Sequence, residues 1–435
     1  MTTLNREEII SENALRNCEG RQSKKRRGEF ALIMDSARSR LKEVDFPLLT
    51  VTLLLAFYGL IMVFSASYYF SISENGNPFY YLIRDGIWVA LGLVLMCLGA
   101  MIDYRKLEGR KLILGILLVC FLLLIIVLTP LGSEANDATR WIKLGPITIM
   151  PGEIAKMGMI FFVSWFYASD TKRIDSFVRG MLPVLAVMAV FALLIIKQPN
   201  LSTAITLCGI VAVMMLVAGM RWIYLGGVTA LGIVGIVALI LIKGGYWLER
   251  FTTFTHPFDY EATSGYQIVQ GLQALGSGGL FGVGLGKSVT KSLYLPYPHN
   301  DFILAIIGEE TGYIGVLLLI VLYTVFIWRG VRIALNCPDQ FGMLMASGTV
   351  IMVAIQVVLN LAVVTSSMPA TGVNLPFVSY GGNALMMFML MSGIMLNISR
   401  NMPKKPKERK EESDESDNDR RRYRGSYIPG GGHSR

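Results

Sequence analysis

The sequence predicts an all-α, polytopic membrane protein of about ten transmembrane helices, with both termini cytoplasmic. Three observations carry this. The 435 residues are 53% hydrophobic and only 16% charged, too apolar for a soluble chain of this length. Uncharged runs recur at 48–69, 112–129, 201–219, 222–242 and 311–328. Each is long enough, or nearly so, to cross roughly 30 Å of hydrocarbon as a helix. Finally, the basic residues are unevenly divided between alternate loops. A membrane span must satisfy its own backbone, which leaves helices or closed barrels. Continuous apolar runs without period-two alternation select helices.

Taken in order, residues 1–45 form a basic cytoplasmic tail. Within it, Phe30, Ile33, Ala37, Leu41 and Val44 recur at helical spacing, which predicts an amphipathic helix on the inner membrane surface. A simple extension of the first span is the plainer alternative. No apolar core segment of a cleavable leader occurs in 1–45, so the first span is expected to act as the targeting signal. The membrane domain is expected over 46–401. Its spans are 47–70, 80–102, 111–129, 149–169, 178–197, 200–220, 222–243, 300–328, 341–366 and 379–399. Between the seventh and eighth lies a large extracytoplasmic loop, 244–299. Its stretch "SGYQIVQGLQALGS" has the amphipathic pattern of a short helix in the outer leaflet. Residues 402–435 read as a disordered, charged cytoplasmic tail. With the N-terminus inside, 31 of the 40 basic residues fall on the cytoplasmic side and 8 outside, as the positive-inside rule requires.

The net charge of +9 therefore reflects topology, and no nucleic-acid partner is expected. Five cysteines lie in spans or on the cytoplasmic side, without metal-ligand spacing. His256 and His299 with Asp259 or Asp301 have no specific metal spacing either. No metal site follows from the residues, and a divalent cation stays an open alternative. The glycine-rich "GSGGLFGVGLGKSV" imitates a nucleotide loop, but Phe281 stands where the first glycine of that pattern belongs. Its glycines fit tight backbone turns better.

Ionisable groups in spans cost roughly 2.5–3.5 kcal/mol by insertion scales, so each needs a reason. Glu153 and Lys156 sit three apart and share a helix face. They form either a structural ion pair or part of a site. Glu309 and Glu310 lie two turns into the eighth span and can bond neighbouring helices or Lys156. Asp301 opens that span on the outer side. It is either a cap favoured by the helix dipole or a general base at the membrane–water boundary. Arg140, Lys143, Lys197, Arg250, Lys287 and Lys291 fall on the same side. Such cations suit phosphate, Arg as a bidentate fork and Lys as a point charge; singly, each also fits an interface anchor.

Four stretches together are more specific: "ATRWIKLGPITIMPGEIAK", "KQPNLSTA", "GYQIVQGLQALGSGGLFGVGLGKSVTKSLYLPYPHNDFILAIIGEETG" and "MPATGVNLPFVSYGGNALMMFMLMSGIMLNISR". In this order they resemble the SEDS family (shape, elongation, division and sporulation) over about 46–401, the FtsW/SpoVE branch more than the RodA branch. The resemblance implies a ten-span peptidoglycan glycosyltransferase that polymerises lipid II at the outer face of the cytoplasmic membrane, for septal wall synthesis in division or sporulation. It places the essential aspartate at Asp301. It carries the family's motif positions onto Arg140, Trp141, Glu153, Lys156, Gln356, Asn360 and Ser379. Together with the charges read above, the expected substrate-binding residues are Arg140, Trp141, Lys197, Lys287, Lys291, His299 and Ser379, and the expected supporting ones Glu153, Lys156, Glu309, Glu310, Gln356 and Asn360. It also implies a class B penicillin-binding transpeptidase and other division proteins as partners. A lipid II flippase and a noncatalytic division scaffold are the other readings. Two positions depart from the family pattern. Asn200 replaces an aspartate, which implies hydrogen bonding rather than charge there, and Asn383 replaces a serine.

Overall fold

In the computed structural model, the structure describes residues 44–402 apart from 136–137, 146, 225, 228–229, 231, 233–234, 236–251 and 293. The predicted helix at 30–44, most of the seventh span and the C-terminal tail lie outside the described residues.

The helices are α1 (Phe46–Asn75), α2 (Tyr80–Met101), α3 (Arg110–Val127), α4 (Pro151–Ala168), α5 (Leu182–Lys197), α6 (Leu201–Val217), α7 (Tyr266–Ser277), α8 (Ile303–Leu335), α9 (Gln340–Val364) and α10 (Gly382–Arg400). All but α7 coincide with predicted spans. Among the described residues, seven helical segments are long and apolar enough to cross a membrane. α7 is the short amphipathic helix expected in the large loop.

The ends of the helices follow local chemistry. Asp45 caps α1 by accepting from the Leu48 N–H at 3.0 Å, with Pro47 in the first turn. At the far end Gly76, with φ 67°, returns its N–H to the Ile72 carbonyl. Asp339 caps α9 by accepting from the Gly342 N–H at 2.8 Å. α10 packs most extensively against α2, α9 lies against α8, α6 and α4, and α1 and α7 flank α8. Buried aliphatic and methionine side chains fill the space between them.

Two features depart from the sequence reading. The loop between α3 and α4 is an antiparallel three-stranded sheet, β1 (Gly132–Ala135), β2 (Ala138–Leu144) and β3 (Ile147–Ile149). The all-α description thus holds for the bundle alone. The β2–β3 register pairs Ile142 with Ile149 and Leu144 with Ile147. The strands are short and lie between two strongly apolar spans, so their alternation is masked in the sequence.

Secondly, α8 is not one helix. Gly312, at φ 68° and ψ −170°, breaks it. The glycine-rich loop runs along the break and supplies the hydrogen bonds that helix continuity would have made. Val283 and Gly284 donate to the Glu309 and Glu310 carbonyls, each at 3.0 Å, while Tyr313 and Ile314 donate to Gly279 and Leu280 at 2.9 and 3.2 Å. Irregular backbone at this depth requires such partners. A Cβ on Gly282 would sit 2.2 Å from the Glu310 oxygen, and one on Gly312 would sit 2.3 Å from the Gly282 nitrogen. Only glycine permits that approach. The loop is an architectural insert and not a nucleotide cradle.

Candidate functional site

At the sheet end of the bundle is a cavity of about 570 Å3, a size suited to a small-molecule headgroup. Helices α2, α4, α6, α7, α9 and α10, the sheet and the segments that precede α8 and α10 contribute to it. It gathers Asp301, Arg140, Trp141, Glu153, Lys156 and Gln356 from sequence positions far apart. Arg84, Asn200, Asn374 and Tyr380 complete much of the polar wall.

Asp301 is half-buried and precedes α8. Phe302 holds the N-cap position and makes no side-chain cap bond. The Asp301 carboxylate, one residue earlier, faces the turn at Gly372 and lines the cavity. Its backbone is held by Asn360. The Asn360 Nδ2 donates to the Asp301 carbonyl and to the Val373 carbonyl, both at 2.8 Å. One buried amide thus ties the aspartate to the loop before α10.

Glu153 and Lys156 pair as the helical spacing suggested, at 2.8 Å. Arg140 stands on β2 and donates through Nη2 to the Pro199 carbonyl, which joins the sheet to the turn before α6. Asn200 begins α6 as its N-cap, its Oδ1 accepting from the Thr203 N–H at 3.3 Å. A neutral amide does this as well as a carboxylate, so the departure from the family pattern leaves the cap intact. Asn383, the other departure, donates to the Thr148 carbonyl at 2.6 Å and fastens α10 to β3.

Arg250 lies outside the described residues, and the remaining sequence candidates do not line the cavity. Lys291 is 1% exposed and pairs with Glu310 at 2.6 Å, while Ser65 donates to the same carboxylate. Lys291, and not Lys156, is therefore the partner of Glu310. Glu309 accepts from Ser288 Oγ and from the Val289 and Thr290 N–H groups. Both glutamates fasten the glycine-rich loop to the first half of α8. Lys197 and Lys287 are exposed, but neither lines the cavity. The Ser379 Oγ accepts from the Leu375 N–H at 2.9 Å and shapes the loop before α10. His299 is buried behind the cavity wall. Its ring packs on Tyr81, Phe70 and Tyr380, with centroids at 4.4, 5.2 and 5.5 Å. Burial pulls its pKa down to about 4, which keeps it neutral.

Arg84 was not singled out by sequence reasoning. It lines the cavity, donates to the Tyr80 hydroxyl at 2.7 Å and lies over that ring. Its signal was an arginine followed by Asp85 within a span, a costly pair that needs explaining. Among the described residues, no group of three metal-ligating side chains comes together.

A family model described as "Cell cycle protein", for the FtsW, RodA and SpoVE group, matches residues 46–404. The chain is similar to stage V sporulation protein E of Bacillus subtilis, 40% identical over 82% of this chain and 97% of that protein. It is 35% identical to the probable peptidoglycan glycosyltransferase FtsW of Geobacter metallireducens, covering 83% and 97% respectively. A solved structure described as "Structural coordination of polymerization and crosslinking by a peptidoglycan synthase complex" superposes with a TM-score of 0.70 at 28% identity, over 83% of this chain and 99% of that one. The rod shape determining protein RodA of Thermus thermophilus gives 0.62 at the same identity, over 83% and 98%.

Proposed function

The chain belongs to the FtsW/RodA/SpoVE family of cell cycle proteins, the SEDS family, and on that premise we propose that it is a peptidoglycan glycosyltransferase polymerising lipid II. The observation that carries this reading is the cavity. It joins a half-buried carboxylate, Asp301, to two arginines, Arg84 and Arg140, at one end of a membrane bundle.

Glycosyl transfer from a lipid diphosphate needs a base for the attacking hydroxyl and positive charge for the leaving group. Asp301 takes the proton from the 4-hydroxyl of the acceptor GlcNAc. That oxygen bonds to the anomeric carbon of the donor MurNAc as the bond from this carbon to the diphosphate oxygen breaks. The configuration inverts and the link is β-1,4. Arg84 and Arg140 face the departing diphosphate, where positive groups set in place before reaction are most effective. Asn360 holds Asp301 in register through its carbonyl. Lys291 and Lys287 have no part in this step, one because it is paired and buried, the other because it stands away from the cavity.

In this reading the cavity opens to the outer face, both termini are cytoplasmic and the membrane is the septal one. The partner is a class B penicillin-binding transpeptidase. The likeness to the peptidoglycan synthase complex supports it.

The test uses purified protein and labelled lipid II in detergent, with and without the transpeptidase. Moenomycin suppresses contaminating polymerases of the penicillin-binding type. Wild type is expected to make long strands. Asp301→Ala and Asp301→Asn should lose roughly 100-fold or more of the rate with an unchanged Tm. Retained activity would remove Asp301 as the base. No product from wild type, with the partner present, would turn the reading toward a flippase or scaffold.

A further inference from the structure

The glycine-rich stretch 278–290 is inverted relative to a loop in water. Its apolar side chains point outward, from 61% exposed at Leu285 to 79% at Phe281, with Leu280 and Val289 between these values. Its polar side chains point inward. Ser288 and Thr290 are buried, and the Ser288 hydroxyl donates to Glu309. A loop in water has the opposite distribution, and exposed apolar side chains grouped in this way mark a contact surface. We infer that this stretch is a re-entrant segment seated in the outer leaflet, with Leu280, Phe281, Leu285 and Val289 in contact with lipid chains. The inference takes only the name of the leaflet from the orientation given above, and it holds whether or not the protein polymerises lipid II.

Depth identifies lipid as the partner. At the end of the bundle away from the cavity, the Arg329 Nε donates to the Asp45 carboxylate at 3.2 Å. That bond sets the start of α1 level with the far end of α8. Ser65 lies about 20 residues along α1 from Asp45, roughly 30 Å at the rise of a helix. There its hydroxyl donates to Glu310 at 2.7 Å. The loop is bonded to α8 around this same level. Val283 and Gly284 lie beside Glu309 and Glu310, and Gly279 and Leu280 lie lower, beside Tyr313 and Ile314. A hydrocarbon core is about 30 Å thick, so the loop lies within its outer part, and any tilt of α1 sets it deeper.

The surroundings are of the same kind. Immediately beyond the break, Tyr313, Ile314, Leu317 and Leu318 are exposed on α8, in a run, 311–328, that carries no charge. The exposed face of such a span meets lipid chains, and the loop extends that face. Its backbone is provided for, since irregular chain in hydrocarbon must find partners in protein and the broken helix supplies them. Lys287 is the one charged residue of 278–290, and it is exposed. A side chain of that length can carry its ammonium to the interface while the stem stays among the chains.

The segment before α8 stands farther out. Tyr297 and His299 pack on Phe70, with centroids at 5.3 and 5.2 Å, and Phe70 is about 7 Å beyond Ser65 along α1. The chain leading to Asp301 thus reaches headgroup level while the loop stays among the lipid chains.

The experiment sets a fluorophore in the loop of the full-length protein, reconstituted in phosphatidylcholine liposomes. The emission that Phe281→Trp adds to the parent is quenched by phosphatidylcholine brominated on its chains and, separately, by aqueous iodide. Free N-acetyltryptophanamide gives the iodide limit in water. The added emission should lose most of its intensity to the brominated lipid and little to iodide. Leu285→Trp, on the same exposed face, is the second variant should the first fold poorly, and the same result is expected. Quenching by iodide near the limit in water would place the loop in the aqueous phase and overturn the inference. So would protection from both quenchers, which would mean that protein, such as a second copy of the chain, covers the surface. Equal loss to both would place it in the headgroup layer and overturn it as well. Liposomes without substrate suffice, so a failure here is separable from failure of the enzyme reading.

Discussion

Asp301 and the pair Glu309–Glu310 lie within ten residues of one another, and their environments are opposite. The glutamates are saturated. Glu309 accepts a hydroxyl and two backbone N–H groups, and Glu310 accepts Lys291 and Ser65. Asp301 is half-buried, faces a cavity, and is held through its main chain. The glutamates bind the glycine-rich loop to α8, whereas Asp301 borders a cavity large enough for a ligand. Expense of burial alone does not separate them.

The comparison can be broken by mutation. Glu310→Gln or Lys291→Met leaves one member of a buried ion pair uncompensated. A loss of about 3–5 kcal/mol is expected, seen as a large fall in Tm in detergent. The double replacement Lys291→Met with Glu310→Leu should recover much of it. Asp301→Ala should show the reverse pattern, activity lost and Tm kept. If Glu310→Gln left Tm untouched, the architectural assignment would fail.

A smaller effect concerns His299. Its folded pKa lies near 4, below the ordinary value of 6.5. The unfolded chain therefore takes up a proton on acidification before the folded one does. Stability from this residue is present above about pH 6.5 and declines as pH falls toward 4. The replacement His299→Gln should flatten that part of a Tm–pH curve; an unaltered slope would show that other groups govern it. The smallest effect is at the capping amide. Asn200→Ala should cost about 1 kcal/mol, whereas Asn200→Asp should leave Tm nearly unchanged, because either side chain accepts from the Thr203 N–H.

Much of this protein was legible in its sequence. Apolar runs determined the helices, because a chain in hydrocarbon has few ways to satisfy its backbone. The i, i+3 spacing determined the Glu153–Lys156 pair, because both lie on one helix. Asp301 was identifiable as a carboxylate at the end of a span, and the short helix α7 by its amphipathic pattern. The sheet, the break at Gly312 and the partners of Lys291 were not legible. Each depends on residues far apart in the chain. Lys291 meets Glu310 and Ser65 because the glycine loop runs beside α8 and α1, and no local periodicity encodes that path. Likewise Arg84 and Gln356, on α2 and α9, share a cavity only because the helices between them pack as they do. Composition and spacing determined which groups could act in the membrane. Tertiary packing decided which of them bind the glycine-rich loop to α8 and which line the cavity.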